Sequence, residues 1–306
     1  MQIPPKLWFQ LERLKKAFRS AVGEPSPSYD TSHRMCPNCR ALIERGASVC
    51  PFCGEKLRAP RSRSSSSAGS DRILGIIPIP STATSALVAV TIALYGISWY
   101  MTAASGAGQL NPASALGGIN GDVLFRLGAK TPAIFFGQWW RLVTAIFLHA
   151  NLMHIGFNLW CLFDLGPTVE SLFSAAKFLV FYLVAGVAGF LLSLWWNPGG
   201  MSVGASGAIL GLIGVLIGAS FHHGHLGREY RSQLVRWVIY IFIFGLFFAV
   251  DNAAHLGGLA SGALLGYLVP EGDAETRAGQ NLWNALALLS VATIVASFAL
   301  MALQLR

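Results

Sequence analysis

Charge is what this sequence has least of. Only 12% of its 306 residues are charged, while 54% are hydrophobic. A soluble domain carries about 25% charged residues, so the shortage excludes a water-soluble protein over the full length. The shortage is also uneven. Residues 1–72 hold 13 of the 22 Lys and Arg and 6 of the 14 Asp and Glu, a net of +7, which leaves 9 basic and 8 acidic side chains for the other 234 residues. Other absences narrow the field further. Residues 1–20 have no uninterrupted apolar run and no small-residue cleavage site, so no cleavable signal peptide is read there. The basic residues are not interleaved with stacking aromatics, so no nucleic acid partner is expected. The apolar region has no inverted repeat and no paired broken helices, which argues against a transporter.

What is present beyond residue 84 is a series of apolar segments, at about 86–104, 148–168, 176–196, 202–221, 234–251, 253–269 and 283–304. Each is near the length that a bilayer demands of a helix. The reading is an all-α polytopic membrane protein. Basic residues orient it. Inner segments 1–85, 169–175, 222–233 and 270–282 take the tail's excess together with Arg228, Arg231 and Arg277, and outer segments take Arg126, Lys130, Arg141 and Arg306. The N-terminus is then cytoplasmic, and seven spans leave the C-terminus outside. The long first outer loop, about 105–147, contains the aromatic run from Ile134 to Arg141. Such a run suits a loop lying partly in the outer leaflet, or an interfacial aromatic belt.

The soluble N-terminal region divides by composition. Residues 1–30 place Trp8, Leu11, Leu14 and Phe18 at helical spacing among basic side chains, as in an amphipathic helix resting on a membrane surface or in a solvated one. Residues 31–58 contain Cys36-Pro-Asn-Cys39 and Cys50-Pro-Phe-Cys53. Two such knuckles at short separation suit tetrahedral thiolate coordination of a structural Zn²⁺. Disulfides or a redox motif would need a different compartment from the reducing cytosol expected here. The segment resembles small zinc-ribbon modules of bacterial membrane proteins, although Arg40 stands where those usually have glycine. Such a ribbon would serve a cytosolic protein partner. Residues 59–83, rich in Ser and Arg, read as a flexible linker.

The chemistry-bearing residues sit at the outer ends of three segments. His154 and Asn158 are four apart and share a helix face. Ser206 opens the fourth segment within Gly204-Ala-Ser-Gly, and His255 lies one turn after Asp251-Asn252 in the sixth. With the orientation above, these segments all run outside to inside, so the polar groups fall at one depth. A serine hydroxyl needs a base, which His255 can supply. Acyl transfer also needs donors for an oxyanion, available from the Ser206 N–H, His154 and Asn158. Glycine stripes at 207, 211, 214 and 218, and at 258, 262 and 266, allow the two helices to approach closely. His149 reads as an interfacial histidine or a further member of the site, Asp251 as a helix cap or a third catalytic group, and Cys161 as core.

Gly204-Ala-Ser206-Gly207, Ala254-His255-Leu-Gly-Gly258-Leu-Ala-Ser-Gly262, Trp140-Arg141 and His149–His154–Asn158 together resemble the rhomboid intramembrane serine proteases. The resemblance covers roughly residues 84–270. It implies a rhomboid-like six-helix bundle over 84–270, with residues 271–306 adding a loop and a seventh C-terminal transmembrane helix after the small zinc ribbon. It also implies a Ser206–His255 dyad without an acid, His154 and Asn158 at the oxyanion, and a half-submerged first loop. No cofactor is needed for catalysis. Substrates would be transmembrane segments of other proteins, cut near the outer face of the lipid bilayer, in a bacterial inner membrane. Gly166-Pro-Thr-Val-Glu170 resembles the family's structural GxxxE. Some members carry an aromatic residue against the catalytic histidine where this chain has Leu210. The alternative is a catalytically inactive rhomboid-like adaptor that acts through the zinc ribbon.

Overall fold

The computed structural model describes residues 33–35, 42–44, 49–54, 72–73, 77–78, 82–105, 117–247, 250–272 and 276–304. The chain forms two units, Met1–Ile79 and Pro80–Arg306. The first contains two antiparallel strand pairs. β1 (His33–Met35) pairs with β2 (Leu42–Glu44), and β3 (Arg72–Ile73) pairs with β4 (Ile77–Pro78). The all-α expectation concerns the membrane region, and the described part of the second unit is helical. The β3–β4 pair also falls inside 59–83, the stretch expected to be a flexible linker. The Ser/Arg-rich composition ends at Arg72, the first residue of β3, and the isoleucines that follow suit strands.

The second unit is helical. Its long helices are α1 (Thr82–Ala104), α4 (Leu152–Phe173), α5 (Ala175–Trp196), α6 (Ser206–Ala219), α7 (Gly224–Phe247), α8 (Asn252–Leu268) and α9 (Arg277–Gln304). Short helices α2 (Gly121–Arg126) and α3 (Arg141–Thr144) lie between α1 and α4. Among the described residues, α1, α5 and α9 are long and apolar enough to cross a membrane by themselves, and the pair Arg141–Phe147 and Leu152–Phe173, bent by 90°, adds a fourth. The seven expected spans are therefore not all visible from length and hydropathy, because α6 and α8 are short and α4 and α7 carry charges. The largest boundary difference is at α7. The expected inner segment 222–233 is helical from Gly224 onward, since its polar residues bond locally. Arg231 lies over the Phe221 ring at 3.9 Å and donates to Ser220 Oγ at 3.2 Å.

Helix α6 is the core element, with nearly every residue buried. Its glycine stripe faces that of α8 at backbone contact. A methyl group at Gly258, Gly262 or Gly266 would overlap the carbonyl of Gly207, Gly211 or Val215. Helix α5 closes the other side of α8, where a methyl group at Gly189 would sit 2.6 Å from Ala254 O. Helix α1 is held by Gly166 and Glu170. A methyl group at Gly166 would lie 2.6 Å from Thr84 Oγ1. The Glu170 carboxylate accepts from Ala83 N (3.2 Å), Thr84 N (3.1 Å) and Thr84 Oγ1 (3.0 Å), which caps the start of α1.

The first loop is a folded lobe. Arg141, 3% exposed, donates to Phe125 O (2.6 Å), Ala129 O (3.1 Å) and Gln138 Oε1 (2.6 Å). Its guanidinium also covers the Phe125 and Trp140 rings. Val123, Leu124, Trp140 and Leu148 form a small core there, which Met301 of α9 completes. Phe135, Phe136 and Trp139 remain exposed on the lobe.

Candidate active site

Ser206 is the first residue of α6. The chain reaches it through a short segment held on two sides. Ser202 exchanges backbone hydrogen bonds with Lys130, both 3.0 Å, and Gly204 N–H donates to Ala145 O at 2.9 Å. Gly204 has φ +131°, and a methyl group there would lie 2.7 Å from His154 Nε2 and 3.8 Å from Ser206 Oγ. Only glycine tolerates this backbone and leaves that space clear. His154 and the Ser206 hydroxyl thus flank one small volume beside the backbone.

Helix α8 delivers His255. Asp251 caps the helix, with Oδ1 accepting from Ala254 N–H at 3.0 Å and Oδ2 accepting from the Ser193 hydroxyl. One turn further, His255 is 4% exposed and its Nε2 lies 2.8 Å from Ser206 Oγ. Its Nδ1 has no hydrogen-bond partner among the described residues. Asp251 is therefore a cap that makes no hydrogen bond to the imidazole among the described residues. The ring of Phe242, on α7, packs edge-on against His255 with centroids 6.1 Å apart.

Helix α4 delivers the remaining polar groups. Asn151 caps it by accepting from His154 N–H at 2.9 Å. Ala150 N–H points at His154 Nδ1 from 3.5 Å. A backbone amide can only donate, so this contact favours the tautomer with the ring proton on Nε2, the nitrogen facing Gly204. Asn158 is 7% exposed, and its amide donates to His154 O at 3.0 Å. His149 is fully buried, its ring against His154 at 5.0 Å. It is thus a buried neighbour of His154 and not an interfacial side chain.

A family model described as the rhomboid domain matches residues 136–272. The rhomboid protease GluP of Bacillus subtilis (strain 168) is 36% identical over 185 residues, 58% of this chain and 35% of GluP. YdcA of the same organism is 35% identical over 135 residues, 43% of this chain and 68% of its own length. The chain belongs to the rhomboid family. The rhomboid protease AarA of Providencia stuartii adds 34% identity over 155 residues, 42% of this chain and 55% of AarA. This rhomboid thus spans about a third of the length of GluP and about half that of AarA.

Three polar or aromatic neighbours of the rhomboid site escaped the sequence reading. Lys130 was counted there only as an outer charge, Ser193 lay unremarked in an apolar segment, and Phe242 stands on a different helix from Leu210. An isolated lysine or serine inside an apolar stretch is the signal for the first two. Lys130 is 1% exposed. Burial pushes its ammonium below the usual lysine pKa, and the Asp251 carboxylate pulls it partly back. Of the four expected metal ligands, Cys50 and Cys53 lie on a turn closed by Gly54 N–H to Cys50 O at 2.9 Å, with Gly54 at φ +72°. Cys36 and Cys39 lie outside the described residues, between the paired strands β1 and β2.

Proposed function

We propose that this rhomboid is an intramembrane serine endopeptidase that cleaves transmembrane segments of other proteins near the outer face of the membrane. The observation that carries the reading is the 2.8 Å contact between Ser206 Oγ and His255 Nε2 at the ends of two glycine-packed apolar helices. Ser206 Oγ attacks the scissile carbonyl while its proton passes to His255 Nε2. The oxyanion receives the Ser206 N–H, which as a first-turn amide has no intrahelical acceptor, and His154 Nε2–H. Asn158 joins them through the amide N–H that does not bond His154 O. The imidazolium then protonates the leaving amine, and an acyl ester remains on Ser206. His255 next takes a proton from water, whose oxygen attacks the ester, and the imidazolium returns that proton to Ser206 Oγ as the C–O bond breaks and the acid leaves. Helical substrate hides its scissile carbonyl in the helix ladder, so segments weakened by Gly or Pro near the outer face are the expected substrates.

The test is reconstitution with a model transmembrane substrate. Wild type should cut it, and Ser206→Ala and His255→Ala should not. Absence of cleavage by wild type would leave only the adaptor reading, and equal cleavage by Ser206→Ala would remove Ser206 as the nucleophile. In the same proposal the N-terminal cysteines Cys36, Cys39, Cys50 and Cys53 hold one structural Zn²⁺ and present the ribbon to a cytosolic protein, and the bundle lies in a bacterial inner membrane.

A further inference from the structure

Lys130 is a cation sealed inside the outer end of the bundle, 1% exposed. Its ammonium has three N–H donors, and three carbonyls converge on it: Asn197 O at 2.8 Å, Gly200 O at 3.1 Å and Ser193 O at 3.4 Å. These belong to the C-terminal end of α5 and the turn that follows, where the helix dipole favours a cation. Sealing an ammonium there is costly unless its donors are satisfied and the cation holds something in place.

Two routes lead from this lysine to the reacting pair. On one, the backbone of Lys130 exchanges hydrogen bonds with Ser202 while its side chain holds Gly200 O, so residues 200–202 are gripped by main chain and side chain together. Ser206 follows four residues later. On the other route, Ser193 accepts from Lys130 through its carbonyl and donates through its hydroxyl to Asp251. Asp251 caps α8, and its carbonyl accepts from His255 N–H at 3.1 Å. The nucleophile and the base therefore stand on separate helices, each linked to the same ammonium through intervening residues: Gly200–Ser202 for one, Ser193 and Asp251 for the other.

We propose that Lys130 is a positioning residue for the Ser206–His255 pair, holding the segment before the nucleophile and the cap before the base in one hydrogen-bonded frame. The inference rests on the proteolytic reading of the site. It distinguishes the charged, donating head group from mere filling of space, which a methionine of similar length would do.

The experiment measures phosphonylation of Ser206 by a fluorophosphonate, in which Oγ bonds to phosphorus, fluoride leaves and His255 takes the proton. Lys130→Met should lower the limiting rate by about tenfold or more, since small misplacements of reacting groups are expensive, while the half-saturating probe concentration stays within about twofold. Lys130→Arg, which keeps charge and donors, should recover most of the rate. Thermal unfolding identifies the folded fraction. A folded Lys130→Met that reacts within about twofold of wild type overturns the proposal, as does a loss that Lys130→Arg does not recover. If Lys130→Met does not fold, Ser193→Ala decides, since it removes only the hydroxyl on Asp251: a slower limiting rate supports the frame and an unchanged one overturns it. A wild type that is not labelled, or a Ser206→Ala labelled equally, would instead sink the proteolytic reading, and this inference with it.

Discussion

At the residue scale, the proton of His154 matters more than its position in the helix. Ala150 N–H can only donate to Nδ1, so the proton is directed to Nε2, over Gly204 and beside Ser206. A donor aimed at a developing oxyanion is worth roughly 10²–10³ in rate. His154→Ala should therefore lower kcat by about 10²-fold with little change in KM, in a cleavage assay that reads both constants. Asn158 should weigh less, about tenfold, because one of its two amide N–H groups is already committed to His154 O and only the other can serve the oxyanion. Gly204→Ala combines two faults. Its φ of +131° is strained for a side chain, and the added methyl meets the His154 ring. We expect it to lower thermal stability by about 1–3 kcal/mol and activity as well. Retention of wild-type cleavage by Gly204→Ala would show that the His154 imidazole does not need the space above that backbone.

At the scale of elements, the α6–α8 contact is what brings the dyad together. The backbones meet where Gly262 faces Gly211 O, with no side chain between them. Gly262→Ala should push the helices apart and cost about 1–3 kcal/mol by overpacking, read as a fall in unfolding temperature together with lost cleavage. Gly96→Ala on α1, where an added methyl meets nothing within 4 Å, is the control and should change neither. This contact was legible in the sequence because a glycine stripe at helical spacing has few other uses. The start of α7 was not. Hydropathy counts Glu229 and Arg231 as loop residues, whereas Arg231 is held by Phe221 and Ser220, which only the fold brings near. Nor did the motif around Gly166 and Glu170 say which element it serves. The answer, the N-terminus of α1, is more than 80 residues away in the chain. The contact between Ser206 and His255 was legible because each stands at the start of a glycine-striped apolar segment. Lys130 and Ser193 were not, since each acts through backbone carbonyls or a carboxylate whose place no spacing reveals.

At the scale of the molecule, charge asymmetry and helix count make one joint statement about orientation. On the proposed reading the excess of basic residues in 1–72 keeps the N-terminus inside by the positive-inside rule. Seven crossings would then put the C-terminus outside. The deciding element is α9. Its 28 residues run for about 42 Å at 1.5 Å per residue, more than the ~30 Å hydrocarbon core requires. It also packs at both ends, since Trp283 meets Phe181 with centroids 6.0 Å apart and Met301 completes the small core of the first-loop lobe. That lobe lies on the same side as Ser206, because Lys130 pairs with Ser202. A helix that starts just after the inner end of α8 and finishes against the outer lobe must traverse the bundle. Alkaline phosphatase, which folds only outside, should be active when fused after Arg306 and inactive when fused before Met1, and a cytosol-dependent fluorescent protein should show the reverse. Activity of both phosphatase fusions, or of neither, would mean an even number of crossings and would remove α9 from the transmembrane set.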